Sequence, residues 1–228
     1  KYLDKCPDGG RYDPVTDQWA PISTIDAPKP RYWPSAVWTD LGMIVWGGYV
    51  CGEGFTDTGG IYQPSTNSWV SISSFRAPSP RRGHTAIWTG EEMIVWGGTA
   101  ASSEGGRYNP ATNSWRAISS PPGLTPREFH QAVWTGSAMI IWGGAIDPQG
   151  WSYDPEADTW TPISTLHAPT PTSGGASVWT GTEMLVWNAD AGGRYNPALD
   201  TWTPISPIGA PEERIWHTAV WTGNTMLV

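Results

Sequence analysis

Tryptophan recurs in this chain at fixed intervals. Trp19, Trp69, Trp115, Trp160 and Trp202 are each followed, 19 residues later, by Trp38, Trp88, Trp134, Trp179 and Trp221. An interval kept five times means five copies of one structural unit, each burying its apolar face against the next, so the chain reads as one domain over residues 1–228. All five methionines, Met43, Met93, Met139, Met184 and Met226, share one place in the repeat and read as core filling.

One copy shows what the unit is. His84-Thr85-Ala86-Ile87-Trp88 is a short strand, Thr89-Gly90-Glu91-Glu92 a turn, and Met93-Ile94-Val95-Trp96 a second strand ending on Gly97-Gly98. The second strand is apolar on both faces, which requires a cover on both sides. A third strand begins at Gly105-Gly106-Arg107-Tyr108. A turn at Asn109-Pro110-Ala111-Thr112-Asn113 and a fourth strand from Trp115 complete a four-stranded antiparallel sheet. With 27 Gly, 22 Pro and no apolar residues at helical spacing, the chain is expected to be all-β. Sheets stacked face to face around an axis make a β-propeller.

The segments HTAIWTG, MIVWGG and GGRYNPATNSW, with Arg81 shortly before His84, resemble the kelch repeat in its Trp-rich bacterial form, and the resemblance covers essentially the whole chain. It implies a propeller and leaves function open. Blades are expected at about 31–74, 81–119, 127–164 and 172–206. Residues 9–24 and 214–228 would share a fifth that closes the ring; the alternative is part of a six- or seven-bladed propeller, and the start at Lys1 suggests a processed or partial chain.

Only one interval in the repeat varies. From second-strand Trp to third-strand Tyr it is 16 residues in Trp46–Tyr62, 12 in Trp96–Tyr108, 11 in Trp142–Tyr153 and 8 in Trp187–Tyr195. All the variation therefore falls in the loop joining strands two and three, on the same face as the blade-to-blade connections. Variable loops on a rigid scaffold mark the expected binding face.

Three tryptophans fall outside the rhythm: Trp33, Trp151 and Trp216. Trp33 and Trp216 share a position just before strand one, held elsewhere by Gly83, Phe129 and Gly174. Tyr32, Arg82 and Glu128 stand one residue earlier, and Trp151 replaces a glycine before strand three. Tyr32, Trp33, Arg82, Glu128, Phe129, Trp151 and Trp216 are therefore the expected ligand-binding residues, since rigid aromatic area with polar edges suits a protein hot spot or a sugar ring. In the fourth copy, Gly174-Gly175 and Trp187-Asn188-Ala189 depart from the pattern. Asn188 is expected in the left-handed conformation that glycine would supply, and that side of the mouth is expected to be more open.

His84, His130 and His217 share a position and read as structural hydrogen-bonders, too far apart in neighbouring blades to bind one metal ion. Arg31, Arg81, Arg127 and Arg214 also recur, with a role at loop carbonyls or between blades. No nucleophile with a base, paired carboxylates or cofactor site is legible, so no enzyme activity and no cofactor are expected. Kelch-type sugar mutarotases would need Glu128 and Arg82 in that chemistry.

A net charge of −8 with no basic stripe argues against nucleic acid, and no apolar run is long enough to span a membrane. Cys6 and Cys51 fall in matching loops of neighbouring units, and a disulfide between them would place the protein in an oxidising compartment, outside the cytoplasm. The expected partner is a protein bound on the variable face, as a scaffold or part of a surface assembly, with a glycan as the alternative.

Overall fold

The computed structural model describes residues 9–99, 104–120, 123–144, 149–189 and 191–228. The described residues form β-strands and no helix. Among the described residues there are four complete blades, each a four-stranded antiparallel sheet with its strands in sequence order. Blade 1 comprises Ser35–Thr39, Gly42–Trp46, Gly59–Gln63 and Ser68–Ser71, and blade 2 Thr85–Trp88, Met93–Trp96, Gly105–Asn109 and Ser114–Ala117. Blade 3 comprises Gln131–Trp134, Met139–Trp142, Trp151–Asp154 and Thr159–Pro162, and blade 4 Ala176–Trp179, Met184–Trp187, Gly192–Asn196 and Thr201–Ile205.

The fixed tryptophan intervals become a fixed register. Met43, Met93, Met139 and Met184 stand opposite Tyr62, Tyr108, Tyr153 and Tyr195, which in turn stand opposite Trp69, Trp115, Trp160 and Trp202. Because side chains alternate across a strand, the second strand sends Met93 and Val95 toward blade 1 and Ile94 and Trp96 toward blade 3. Its two apolar faces are thereby both buried, which explains a strand without alternation.

Each outer-strand tryptophan also fastens its blade to the one before it. The indole Nε1–H of Trp69, Trp115, Trp160 and Trp202 donates to the carbonyls of Ser23, Ser73, Ser119 and Ser164, each at 2.8 Å. Beside it, Asn67, Asn113, Asp158 and Asp200 take left-handed φ near +50° at the tip of the outer turn. The side-chain oxygen of each accepts from a tyrosine hydroxyl in its own blade and a serine N–H in the preceding one. Asn and Asp are the residues that tolerate this conformation while supplying an acceptor.

The closing blade expected from the two ends is not one sheet. Gly10–Asp13 with Gln18–Pro21, and Val220–Trp221 with Met226–Leu227, are separate two-stranded sheets. The first is tied to blade 1 through Arg11 Nη1 to Pro64 O and Trp69 Nε1 to Ser23 O. The second is tied to blade 4 through His217 Nε2 and Trp187 O. Tyr12 and Trp19, whose counterparts Tyr108 and Trp115 are buried, are 46% and 72% exposed. Each hairpin follows its neighbouring blade, where it gains the repeat's own contacts.

Candidate functional site

The five residues at the position before strand one, Trp33, Gly83, Phe129, Gly174 and Trp216, all adopt left-handed φ between +52° and +76°. Backbone bonds link the last four of them from blade to blade: Phe129 N–H to Gly83 O at 2.7 Å, Gly174 N–H to Phe129 O at 3.1 Å and Trp216 N–H to Gly174 O at 2.9 Å. This ladder runs along the inner strands and demands the conformation, which glycine takes freely and bulky residues rarely do. Trp33, Phe129 and Trp216 hold it against a local cost of order 1–3 kcal/mol each.

These strained aromatic rings build the mouth of the inner ring. Trp33 and Trp216 are 52% and 59% exposed, and Phe129 meets Trp216 edge to face at 4.8 Å. Tyr32 lies against Trp33 at 5.8 Å. The Arg82 guanidinium sits over Trp33 at 4.7 Å and over Phe55 at 5.6 Å, within cation–π range. Below the rings, a cavity of about 260 Å³ is lined by His84, Phe129, His130, Gly174, Trp216 and His217.

Phe55 carries no mark in the repeat, and only its place in the longest variable loop pointed toward it. That loop folds into a hairpin, Tyr49–Val50 with Gly54–Phe55, which pairs with Arg31–Tyr32 as a small sheet beside the mouth. Tyr49 packs edge-on to Phe55 at 5.8 Å. The loops of blades 2 and 3 include residues 100–103 and 145–148, outside the described residues. Cys6 also lies outside them, so the expected Cys6–Cys51 disulfide remains an expectation.

Trp151 does not join the mouth. It is 7% exposed, in the core between blades 2 and 3. In the other blades its place is held by Gly60, Gly106 and Gly193, where a Cβ would come within 2.8 Å of the rings of Pro28, Pro78 and Pro169. In blade 3 Leu124 stands where those prolines do and shares the apolar cluster with Trp151. A matched exchange of glycine and proline for tryptophan and leucine therefore fills the core.

The recurrent arginines hold the variable loops from beneath. Arg31 Nη1 donates to Gly47 O and Thr58 O, Arg81 Nη1 to Gly97 O and Glu104 O, and Arg127 Nη1 to Gly143 O and Gln149 O. The paired glycines complete the lock, since the Gly48 and Gly98 N–H groups donate to the Arg81 and Arg127 carbonyls of the next blade at 2.8 Å.

The histidines bridge blades. His84 Nε2 lies 2.9 Å from Ser35 Oγ and His130 Nε2 2.7 Å from Thr85 Oγ1. Ser35 spends its own proton on Trp46 O, so the His84 imidazole is the donor. Among the described residues no three His, Cys, Asp or Glu side chains gather as a metal-binding group.

Blade 4 has no histidine here. Gln131 of blade 3 reaches into the space, donating to Trp142 O at 2.9 Å and accepting from Gly175 N–H at 3.2 Å. The side of the mouth expected to be open is thus occupied, with the Trp216 ring lying on Gly174. Asn188 has no left-handed φ, contrary to expectation. Its side-chain amide donates to Thr170 O and its backbone N–H to Ala191 O, so a turn of a different shape replaces the paired glycines.

Burial, reinforced by Arg81 and Arg127 respectively, pushes His84 and His130 down to about 3. The unfolded chain, with histidine near 6.5, takes up protons that the folded protein refuses between about pH 6.5 and 3. Stability is therefore complete above about pH 6.5 and falls as pH drops, by up to about 1.4 kcal/mol per pH unit for each imidazole. Denaturant titrations across this range should show the loss, and His84→Gln with His130→Gln should flatten it; an unchanged slope would refute the assignment.

The four-stranded sheets arranged blade on blade define a β-propeller with an aromatic mouth on its variable face. The sequence profile of the KLHDC2/KLHL20/DRC7 Kelch-repeats domain matches residues 4–187. The chain belongs to the kelch-repeat family. No curated protein sequence matches it. No helix among the described residues is long and apolar enough to cross a membrane.

Proposed function

We propose that the chain is a non-enzymatic protein-binding propeller, a scaffold or component of a surface assembly, whose partner docks on the variable face with Trp33, Arg82, Phe129 and Trp216 as its hot spot. The observation that carries this reading is the presence of three large aromatic residues at a left-handed position that two other copies fill with glycine. Two other copies form the same turn with glycine, so turn geometry does not call for those rings. Exposed rigid aromatic area beside an arginine is the composition of protein-interface hot spots. Kelch-repeat propellers commonly serve as protein-interaction scaffolds. We place the protein outside the cytoplasm on the strength of its Cys6 and Cys51 pair.

A carbohydrate-binding lectin is the second reading, favoured by the exposed indole faces of Trp33 and Trp216. Trp33→Gly and Trp216→Gly separate function from fold, because glycine relieves the left-handed strain while removing the ring. Both variants should melt within a few degrees of the parent, since the relief offsets the added chain entropy of about 0.5–1 kcal/mol. Both should lose the proteins retained by the parent in affinity capture. Identical capture by all three proteins, or a glycan-array signal lost on the same substitutions, would overturn the protein-binding reading.

A further inference from the structure

On the face of the hairpin turns, opposite the aromatic mouth, one groove between blades lacks a filling that its neighbours have. The residue paired with second-strand Ile44, Ile94 and Ile140 is Ile61 in blade 1, Arg107 in blade 2 and Ser152 in blade 3. The residue just before the second-strand methionine changes with it, from Gly42 to Glu92 to Ala138. Ile61 is buried in the apolar cluster between blades 1 and 2. Arg107, also buried, crosses from blade 2 to blade 3. Its Nε lies 2.9 Å from Glu92 Oε2, and its Nη1 donates to Tyr153 Oη at 3.4 Å and to Pro155 O. Ser152 and Ala138 are too short for either arrangement, and a cleft of about 510 Å³ runs between blades 3 and 4 in their stead. Ala138, Ile140 and Ser152 line it from blade 3, and Trp179, Thr182 and Pro197 from blade 4. Thr182 and Pro197 are exposed and Ser152 and Trp179 half-buried, so the cleft is open to solvent. Pro197 follows Asn196 as Pro155 follows Asp154, and the cleft thereby keeps the counterpart of the carbonyl that receives Arg107. Among the described residues no charged side chain lines it.

A groove that one blade earlier closes on the chain's own guanidinium suits the same group from outside. We propose that this cleft receives an arginine side chain of a partner polypeptide, as a docking point separate from the mouth. The guanidinium stacks on Trp179 and donates to Pro197 O and to the Ser152 and Thr182 hydroxyls, while the apolar stem lies against Ala138. Guanidinium is planar, carries five donors and is weakly hydrated, so it enters a site of neutral acceptors more readily than the compact, strongly hydrated ammonium of lysine. The net charge of −8 favours the approach of a cation. A carboxylate would meet no positive charge in the lining, and an aliphatic side chain would leave the carbonyl and hydroxyls without donors. The cleft shares no residue with the cavity beneath the mouth, so neither site needs the other.

The test is titration of the full chain, labelled at tryptophan, with the capped peptide acetyl-Gly-Arg-Gly-amide, followed by nuclear magnetic resonance at the Trp179 indole N–H. The expected result is a saturable shift of that signal, with peptides carrying lysine or leucine in place of arginine binding at least about tenfold more weakly. Ser152→Ile, and Ser152→Arg combined with Ala138→Glu, fill the cleft with the residues that blades 1 and 2 use. Both should abolish the shift, and the double variant should keep or raise the thermal midpoint, which separates a filled site from a lost fold. No saturable shift at Trp179, an equal response to the lysine or leucine peptide, or an undiminished shift in folded filled variants overturns the proposal. Free arginine bound more tightly than the capped peptide overturns the polypeptide partner, since the cleft would then be reading the amino acid itself. Each of these outcomes leaves the reading of the mouth standing, because that reading is tested by Trp33→Gly and Trp216→Gly.

Discussion

Trp96→Ala is expected to lower the unfolding free energy by about 3–5 kcal/mol and the thermal midpoint by roughly 6–20 °C. Trp96 is 0% exposed, lies 5.3 Å from Trp160 of the next blade and meets the edge of the His130 ring at 5.1 Å. Removing the indole opens a cavity between two sheets whose backbones are held by their own ladders and by the Trp160 bond to Ser119, so neither can move in to fill it. The loss should also reach the mouth, because His130, which packs on Trp96, lines the cavity beneath it. Thermal melts followed by near-ultraviolet circular dichroism provide the measurement, with exposed Trp33→Gly as the control. A midpoint within a degree or two of the parent would show that the sheets adjust freely and that this interface is not the source of cohesion.

Arg81→Leu should cost about 2–5 kcal/mol, through polar groups and not through volume. The Arg81 side chain is 0% exposed and donates to the carbonyls of Ser79, Gly97 and Glu104 and to Ser79 Oγ, all within 2.9 Å. Among the described residues its charge is balanced by Glu104, which is largely exposed, at 3.5 Å. Burial accordingly pulls the guanidinium pKa down while Glu104 opposes the shift. Leucine fills much of the space and leaves the Gly97 and Glu104 carbonyls without donors, so both ends of the blade 2 loop are released. Blade 4 shows what replaces this lock, since Thr172 stands at the arginine position and the Asn188 amide donates to Thr170 O. Chemical denaturation measures the cost, and faster amide hydrogen exchange at Gly98 and Thr99 locates it. Equal loss in Arg31→Leu, whose side chain is only partly buried, would contradict the importance of burial here.

Trp33, Trp216 and Phe129 were legible as mouth residues because they break a repeat whose other copies hold glycine, and a repeat makes its exceptions visible. Trp151 broke the same repeat and misled, since a large residue for glycine looks alike in a core and at a rim until its partner is known. That partner is Leu124, and no interval in the chain links the two positions. Phe55 stayed hidden in a loop without a counterpart, and its meeting with Arg82 depends on how that loop pairs with Arg31–Tyr32. The shared closing blade was expected from complementary ends, whereas each terminal hairpin keeps to its adjoining blade.

The all-β class, the strand order within a blade and the register of Met, Tyr and Trp follow from the sequence by itself. Alternation in a strand has a period of two, and the constant intervals fix which Met, Tyr and Trp stand opposite one another in each blade. Tertiary structure alone decided that the position before strand one must be left-handed, and hence that three aromatic rings there are strained. It also decided that the Arg82 guanidinium lies over Trp33 and Phe55. The reason is physical: strand periodicity is local and repeats along the chain, while φ at the inner ring and the partners of a side chain are set by hydrogen bonds to neighbouring blades some 45 residues away.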